Sequence, residues 1–334
     1  MKFGLGLSVQ HAPDDSQAGR FQEHLEQVRL ASAVGFDSVW ASQHYLSAPF
    51  TYFQPIPVLA RIAAEAGTMS LGTGVLLLPL HHPVEVAEQI ATLDVICGGR
   101  FIFGVGLGYR DVENRAVGQD PKQRVGRLVE GLEILERLWT GEPVSYSGRQ
   151  FTLDNVRISM PPLQRPRPPI WLAANADPGV LRAARLGDAW LMNPHTTLST
   201  LERQLALFRE TRKGLGRPPA SETPLIKECY VAPDGRTAAA EAQRFLGPKY
   251  EAYRQWEQDK ALPEGETFAP DFEALARDRF LLGDPARVRD EIARYRDLLG
   301  VTTLIVRVQW PGMEQERVLR SIRLLGEEVF PRLR

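Results

Sequence analysis

Residues 69–78 run MSLGTGVLLL and residues 79–96 run PLHHPVEVAEQIATLDVI. The first stretch is nearly all apolar. A strand with one wet face alternates polar and apolar residues, whereas one covered on both faces does not. The pattern therefore predicts a buried strand over Met69–Leu78. In the second stretch Pro83 suits a first helical turn, because the N–H it lacks would find no partner there anyway. A helix is expected from Pro83 to about Ile96. A covered strand followed by a helix is the unit of an α/β fold, since parallel strands require crossovers and helices supply them.

The same unit recurs in both directions. Upstream, Phe3–Val9 and Phe36–Ala41 predict strands, and the helix between them carries Phe21, Leu25 and Val28 on one face and stops at Gly35. A helix over Pro55–Gly67 follows. Downstream, Arg100–Gly106 predicts the fourth strand. The next helix places Val125, Leu128, Leu132, Leu135 and Trp139 on one stripe. Residues 140–168, rich in Pro, Gly and Arg, form an excursion, with short alternating pieces at Val144–Tyr146 and Gln150–Leu153 that suggest a hairpin. The alternation resumes with strand Pro169–Ala174, helix Val180–Leu186, strand Asp188–Met192, helix Leu198–Gly214 and strand Pro224–Val231. A helical stretch then runs from Arg236 to about Lys260. Residues 261–283 lose periodicity and predict a loop or lid. A helix with Val288, Ile292, Tyr295 and Leu299, the strand Thr302–Gln309 and a last helix with Val318, Ile322, Leu325 and Val329 complete the chain. Eight strand–helix units are the number that closes a barrel. The expected fold is α/β, a (β/α)8 TIM barrel with insertions, as a single domain over residues 1–334. An open doubly wound sheet is the other architecture this pattern allows.

A chain of 334 residues fits one such barrel plus insertions, and two ordinary domains would also fit. Forty basic residues face 41 acidic ones with no basic stripe, so the footprint of a nucleic-acid binder is missing. The N-terminus turns polar too early for a signal peptide. The apolar run Leu71–Leu80 is about half the length a bilayer requires. Cys97 and Cys229 show no ligand-like spacing, so neither a disulfide framework nor a zinc cluster is expected. The cytoplasm is the expected compartment.

A barrel builds its site where the strands end. Those positions offer Gln10 and His11, then Gln43, His44 and Tyr45, then Gly74 and Val75, then Gly106, Gly108, Tyr109 and Arg110. Later strands offer Asn175 and Asp177, then Asn193 and His195, Lys227 and Glu228, and finally Arg307, Gln309 and Trp310. Gly104-Val105-Gly106-Leu107-Gly108 looks like a dinucleotide loop, but Tyr109 stands where the third glycine belongs. No phosphate loop or nucleophile elbow occurs. No metal site is expected, since His81 and His82 sit side by side before Pro83 and His24 lies within a predicted helix. The glycines at 104–108 would let a flat ring or a phosphate approach the backbone, or would serve tight strand–loop packing. Asn175-Ala176-Asp177-Pro178-Gly179 opens a helix, either as an anion site or as an ordinary cap. His44 is either a packed strand-end histidine or an acid–base group suited to neutral pH.

Together these fragments resemble the luciferase-like flavin-dependent family over nearly the whole chain. The resemblance rests on Gly35–Trp40 with Gln43-His44-Tyr45, on Leu71–Pro79 with His82-Pro83-Val84, and on Gly98–Phe101 with Gly104–Gly108. It is extended by Leu138–Val144, Pro169–Ala174 and Ala183–Asp188. The resemblance implies reduced FMN across the barrel mouth, or a deazaflavin coenzyme in related barrels. It implies a cis Gly74–Val75 bond forming a bulge under the ring, Gly106 and Leu107 lining the flavin, and His44 as the active-site imidazole. The turn Asn175, Ala176, Asp177 and Gly179 would donate backbone N–H groups to the phosphate, with Asp177 pointing outward or capping the helix. Arg110 is the one evident cation for the phosphate. Gln43 stands where a carboxylate often sits, which would leave His44 without a charged partner. The implied activity is monooxygenation of a small organic substrate with electrons from a separate flavin reductase. Hydride transfer and a non-catalytic flavin-binding barrel are the other readings. A homodimer is expected, through Ala60, Ala63, Ala64 and Ala66 on the helix at 55–67 and through the helix at 83–96.

Overall fold

The computed structural model describes residues 1–269 and 271–334. Eight strands are β1 (Lys2–Gly6), β2 (Ser38–Ala41), β3 (Ser70–Thr73), β4 (Phe101–Gly106), β5 (Ile170–Ala174), β6 (Ala189–Met192), β7 (Pro224–Val231) and β8 (Thr303–Arg307). They pair in the order β5-β6-β7-β8-β1-β2-β3-β4, all parallel, and β4 pairs back onto β5. The ring is closed, so the fold is the (β/α)8 barrel and not the open sheet. Helices α1 (Gln17–Ala33), α2 (Pro55–Ile62), α3 (Pro83–Ile96), α4 (Arg124–Leu138), α5 (Asp177–Leu186), α6 (Leu198–Gly214), α7 (Gly235–Gln255), α8 (Pro285–Leu299) and α9 (Gln315–Leu324) surround it. Beyond α9 the chain turns through Phe330, whose ring stacks on Phe3 at 3.8 Å.

Two apolar layers hold the fold. The larger lies between strands and helices. The smaller fills the barrel with Trp40, Trp171, Ala189, Leu191, Ile226 and Ile305. The Trp40 and Trp171 rings stack at 5.1 Å. Such bulk inside a small barrel needs missing side chains opposite. A Cβ on Gly72 would come within 2.3 Å of Trp40, and one on Gly104 within 1.8 Å of the Thr73 carbonyl. The packing reading of the glycine run therefore holds for Gly104.

The main departure from expectation is at 69–78. Gly72 opposes Ile102 and Leu76 opposes Val105, so four steps of one strand face three of the other. The extra residue forms a bulge, with a cis Gly74–Val75 bond as the resemblance implied. The predicted strand Met69–Leu78 is thus split into β3, the pair Leu76–Leu77 and a 3₁₀ turn at Leu78–Leu80. The excursion is an antiparallel hairpin of Val144–Ser147 with Thr152–Val156. The predicted lid at 261–283, of which residue 270 lies outside the described residues, contains regular elements. Phe272–Ala276 is helical, and Leu281–Gly283 pairs in parallel with β7.

Candidate active site

A cavity of about 350 Å³ opens where the strands end. Its volume lies in the range of small-molecule and cofactor sites, roughly 300–1,000 Å³. Of the residues expected there, His44, Gly74, Val75, Gly106, Leu107, Asn175, Ala176 and Gly179 line it. Arg110 and Asp177 do not, and both omissions have a charge-pairing cause. The Arg110 guanidinium pairs with Glu113 Oε1 at 3.5 Å, donates to the carbonyls of Tyr45 (2.7 Å) and Leu46 (3.0 Å) and lies 4.4 Å over the Trp256 ring. Asp177 points outward, as expected, into a two-pronged pair with Arg203 at 2.6 and 3.0 Å.

His44 has the charged partner that Gln43 could not supply. Its Nδ1 lies 2.9 Å from Glu113 Oε1, on the short helix Asp111–Ala116 that follows β4. The same oxygen accepts the Tyr45 N–H at 2.9 Å, and Glu113 is 1% exposed. An imidazole that donates from Nδ1 to a carboxylate keeps Nε2 free to accept a proton. Tyr52, Tyr109 and Trp256 surround the ring, with centroids 5.6, 5.7 and 6.2 Å away. Sequence reading missed Glu113, because an acid in a helical turn has no signature until the barrel brings it to His44.

Gln43 fastens the floor instead. Its N–H donates to the Val75 carbonyl (3.1 Å), and its Oε1 accepts the Leu77 N–H (2.8 Å). The bulge is therefore clamped from β2. Gly106 faces it, and a Cβ there would meet Val75 Cγ2 at 2.7 Å. The missing side chain of Gly106 lets Val75 seat against β4, and both Gly74 and Gly106 present backbone to the cavity.

The opposite end is the start of α5. The Gly179 N–H is already donated to the Ala176 carbonyl at 2.9 Å. The amides of Asn175, Ala176 and Asp177 have no acceptor among the described residues, and with the helix dipole they form an anion site. Arg182, one turn into α5, also lines the cavity. Burial and the nearby Arg185 charge lower its pKa, and no carboxylate pairs with it among the described residues. The signal for Arg182 was its place on the helical face of Asn175, Pro178 and Gly179.

His195 forms part of the wall, with Nδ1 3.0 Å from Tyr250 Oη and Nε2 2.9 Å from Gln258 Nε2. Burial first, then the charges of Arg307, Lys249, Lys227 and Arg279, hold its pKa well below the usual histidine value. This loop is bolted to the 261–283 segment. Arg279 Nε donates to the His195 carbonyl at 2.9 Å, and its terminal nitrogen meets Glu266 at 2.5 Å. Lys227, a strand-end candidate, lies behind the barrel instead, donating to the Thr196 carbonyl at 3.1 Å. Three buried polar atoms of cavity-lining residues have no partner: Tyr109 Oη, Asn193 Nδ2 and Gln258 Oε1. A glycine floor, a cationic helix start and unmatched polar atoms on the walls fit the flavin-type ligand that the resemblance implied.

Comparison with known proteins agrees. The monooxygenase RslO1 of Streptomyces bottropensis has the same fold, with a TM-score of 0.86 and 28% identity over 100% of both chains. The oxygenase component of the flavin-dependent trigonelline monooxygenase of Acinetobacter baylyi is 26% identical, over 99% of this chain and 95% of its own length. An F420-dependent glucose-6-phosphate dehydrogenase of Microbacterium testaceum is 29% identical over 91% of each chain. Residues 1–302 match the family model described as luciferase-like monooxygenase, and the chain belongs to that family of oxidoreductases.

Proposed function

We propose that this chain is the oxygenase component of a flavin monooxygenase, taking reduced FMN from a separate reductase and acting with O2 on a small organic substrate. The observation that carries this reading is the His44–Glu113 pair set against a glycine-floored cavity. Bound reduced flavin would supply the electrons that activate oxygen. The residues of the chain do the rest. Arg182 and the amides opening α5 hold the phosphate, while Gly74, Val75, Gly106 and Leu107 receive the ring. Glu113 orients His44 so that Nε2 accepts or returns a proton at the reacting centre. Tyr52, Tyr109 and Tyr253 keep water away.

The full-length oxygenase-component relative supports a reductase partner. The second reading is hydride transfer with the deazaflavin coenzyme, supported by the dehydrogenase relative. Anaerobic titration with reduced FMN and reduced deazaflavin, followed by oxygen uptake, separates the two. Tight deazaflavin binding without FMN binding would overturn the monooxygenase reading. A homodimer through the α2–α3 face is the proposed assembly. Ala66 is buried within the subunit and Ala60 and Ala63 are partly buried against its core, which leaves Ala64 and the exposed Val95 and Ile96 for contact. Sedimentation as a monomer at micromolar concentration would refute it.

A further inference from the structure

Arg307 ends β8 and lines the same cavity. A guanidinium carries five donors, yet Arg307 makes no hydrogen bond among the described residues. Its nearest anion is Glu228 Oε1 at 3.7 Å. Glu228 is already engaged, for Oε1 accepts from Lys249 Nζ at 2.8 Å and Oε2 from Trp310 Nε1 at 2.7 Å. Both oxygens of the carboxylate nearest Arg307 are therefore taken by other donors, and the guanidinium presented to the cavity has no hydrogen-bonded anion of its own among the described residues. No other carboxylate pairs with it among the described residues, and burial pushes the nearby phenols of Tyr52, Tyr250 and Tyr253 up from their ordinary value, so they supply no charge.

A cation with unused donors in an enclosed site is costly unless an anion arrives. The surrounding walls are aromatic. Tyr52 lines the cavity beside His44, with its ring 5.6 Å edge-on from the imidazole and its phenol oxygen 2.5 Å from Ser42 Oγ. Tyr253 continues the wall, backed by Trp256 with ring centroids 5.8 Å apart. Resting on the reading that this cavity is the active site, we propose that Arg307 determines specificity by holding a carboxylate oxygen of a planar aromatic substrate. The aromatic body lies against Tyr52 and Tyr253, within reach of His44. The charge lies at the opposite end of the molecule from the cofactor's phosphate, which α5 holds. Bidentate recognition of a carboxylate suits a guanidinium.

The test uses benzoate and its neutral counterpart benzamide as probes, titrated calorimetrically into the full chain and into Arg307→Gln and Arg307→Lys, each with and without FMN. Wild type should bind benzoate at least about tenfold more tightly than benzamide. Arg307→Gln should remove that preference, and Arg307→Lys should retain part of it. FMN affinity, followed by flavin fluorescence, should stay within about threefold in all three proteins. Arg307→Gln should fold, because Glu228 keeps Lys249 and Trp310. Should it not fold, the wild-type comparison of benzoate with benzamide and the Lys variant decide. Equal binding of the two probes to wild type overturns the proposal. So does unchanged benzoate binding in Arg307→Gln, or an FMN loss as large as the benzoate loss, which would make Arg307 a cofactor residue. Failure of every protein to bind FMN, with benzoate behaving as expected, sinks the flavin reading and leaves the anion subsite standing.

Discussion

Replacing Arg182 with alanine probes the phosphate end of the cavity without touching the proposed acid–base pair. Arg182 is half-buried, lines the cavity, and has only Arg185 as a charged neighbour of note. Asp177, the nearest acid in sequence, is already neutralised by Arg203. The phosphate would therefore meet an uncompensated cation and a helix start. At about 4 Å and an effective dielectric of about 20, the charge pair has a ceiling of about 4 kcal/mol. Solvent reaches part of the guanidinium, so screening reduces this. Measured charge-assisted bonds of about 1.5–3 kcal/mol are the better guide. FMN should bind roughly 10- to 100-fold more weakly to Arg182→Ala. Riboflavin has the same ring and no phosphate, so its affinity should shift by less than about twofold. Arg182→Lys should recover part of the loss. The assay is quenching of flavin fluorescence at low and high salt, and the wild-type advantage of FMN over riboflavin should shrink with salt. Equal weakening of both flavins, or of neither, would refute the placement of the phosphate.

Three further outcomes are expected. His44→Ala or His44→Asn should lower turnover about a hundredfold with FMN affinity nearly unchanged, and Glu113→Gln should cost about tenfold through misorientation of the imidazole; oxygen uptake with reduced FMN and a substrate found by screening measures both, and rates within a few-fold of wild type would remove the pair from the mechanism. Burial lowers the pKa of His11 to about 3 and of His24 to about 4, with their Nε2 atoms 3.0 Å apart. Both stay neutral in the fold while the unfolded chain takes up protons, so their contribution is full above about pH 6.5 and is lost as pH falls toward 4, by about 3 kcal/mol for His24. Melting temperature should fall across that window and fall less in His24→Leu, and an equal fall in the variant would exclude the pair as the cause. Arg279→Met leaves Glu266 buried without its cation, a loss of about 3–5 kcal/mol, and limited proteolysis at 262–269 should accelerate; unchanged cleavage would show that the bolt to the His195 loop does not hold this segment.

Local periodicity was enough to determine the alternation of strands and helices, and the pairing of β4 with β5 decided for the closed barrel over the open sheet. Covered strands and amphipathic helices have periods that sequence carries within a few residues, which is why Pro224–Val231 and Leu198–Gly214 match to the residue. Glycines and prolines marked the joints, as at Gly35 and Pro83. The resemblance likewise anticipated the cis Gly74–Val75 bulge and the placement of Gly106 and His44 at the mouth of the barrel. The break inside Met69–Leu78 belonged to tertiary structure, because an extra residue on one strand exists only relative to its neighbour β4. Charge followed the same division. Arg110 and Asp177 looked like ligands because their sequence neighbours did not reveal the partners that neutralise them, Glu113 for one and Arg203 for the other. Glu113 and Arg182 drew no attention in the sequence, and closure of the ring put Glu113 against His44 and Arg182 on the cavity wall. At β7 and β8 the twofold period of a strand turned Lys227 outward under α8, while Ile226 and Arg307 face in. A sequence determines which residues share a face of one element. Which charge meets which across 69 positions, as Glu113 meets His44, is set by barrel register, because pairing energies depend on distances that only the closed ring defines.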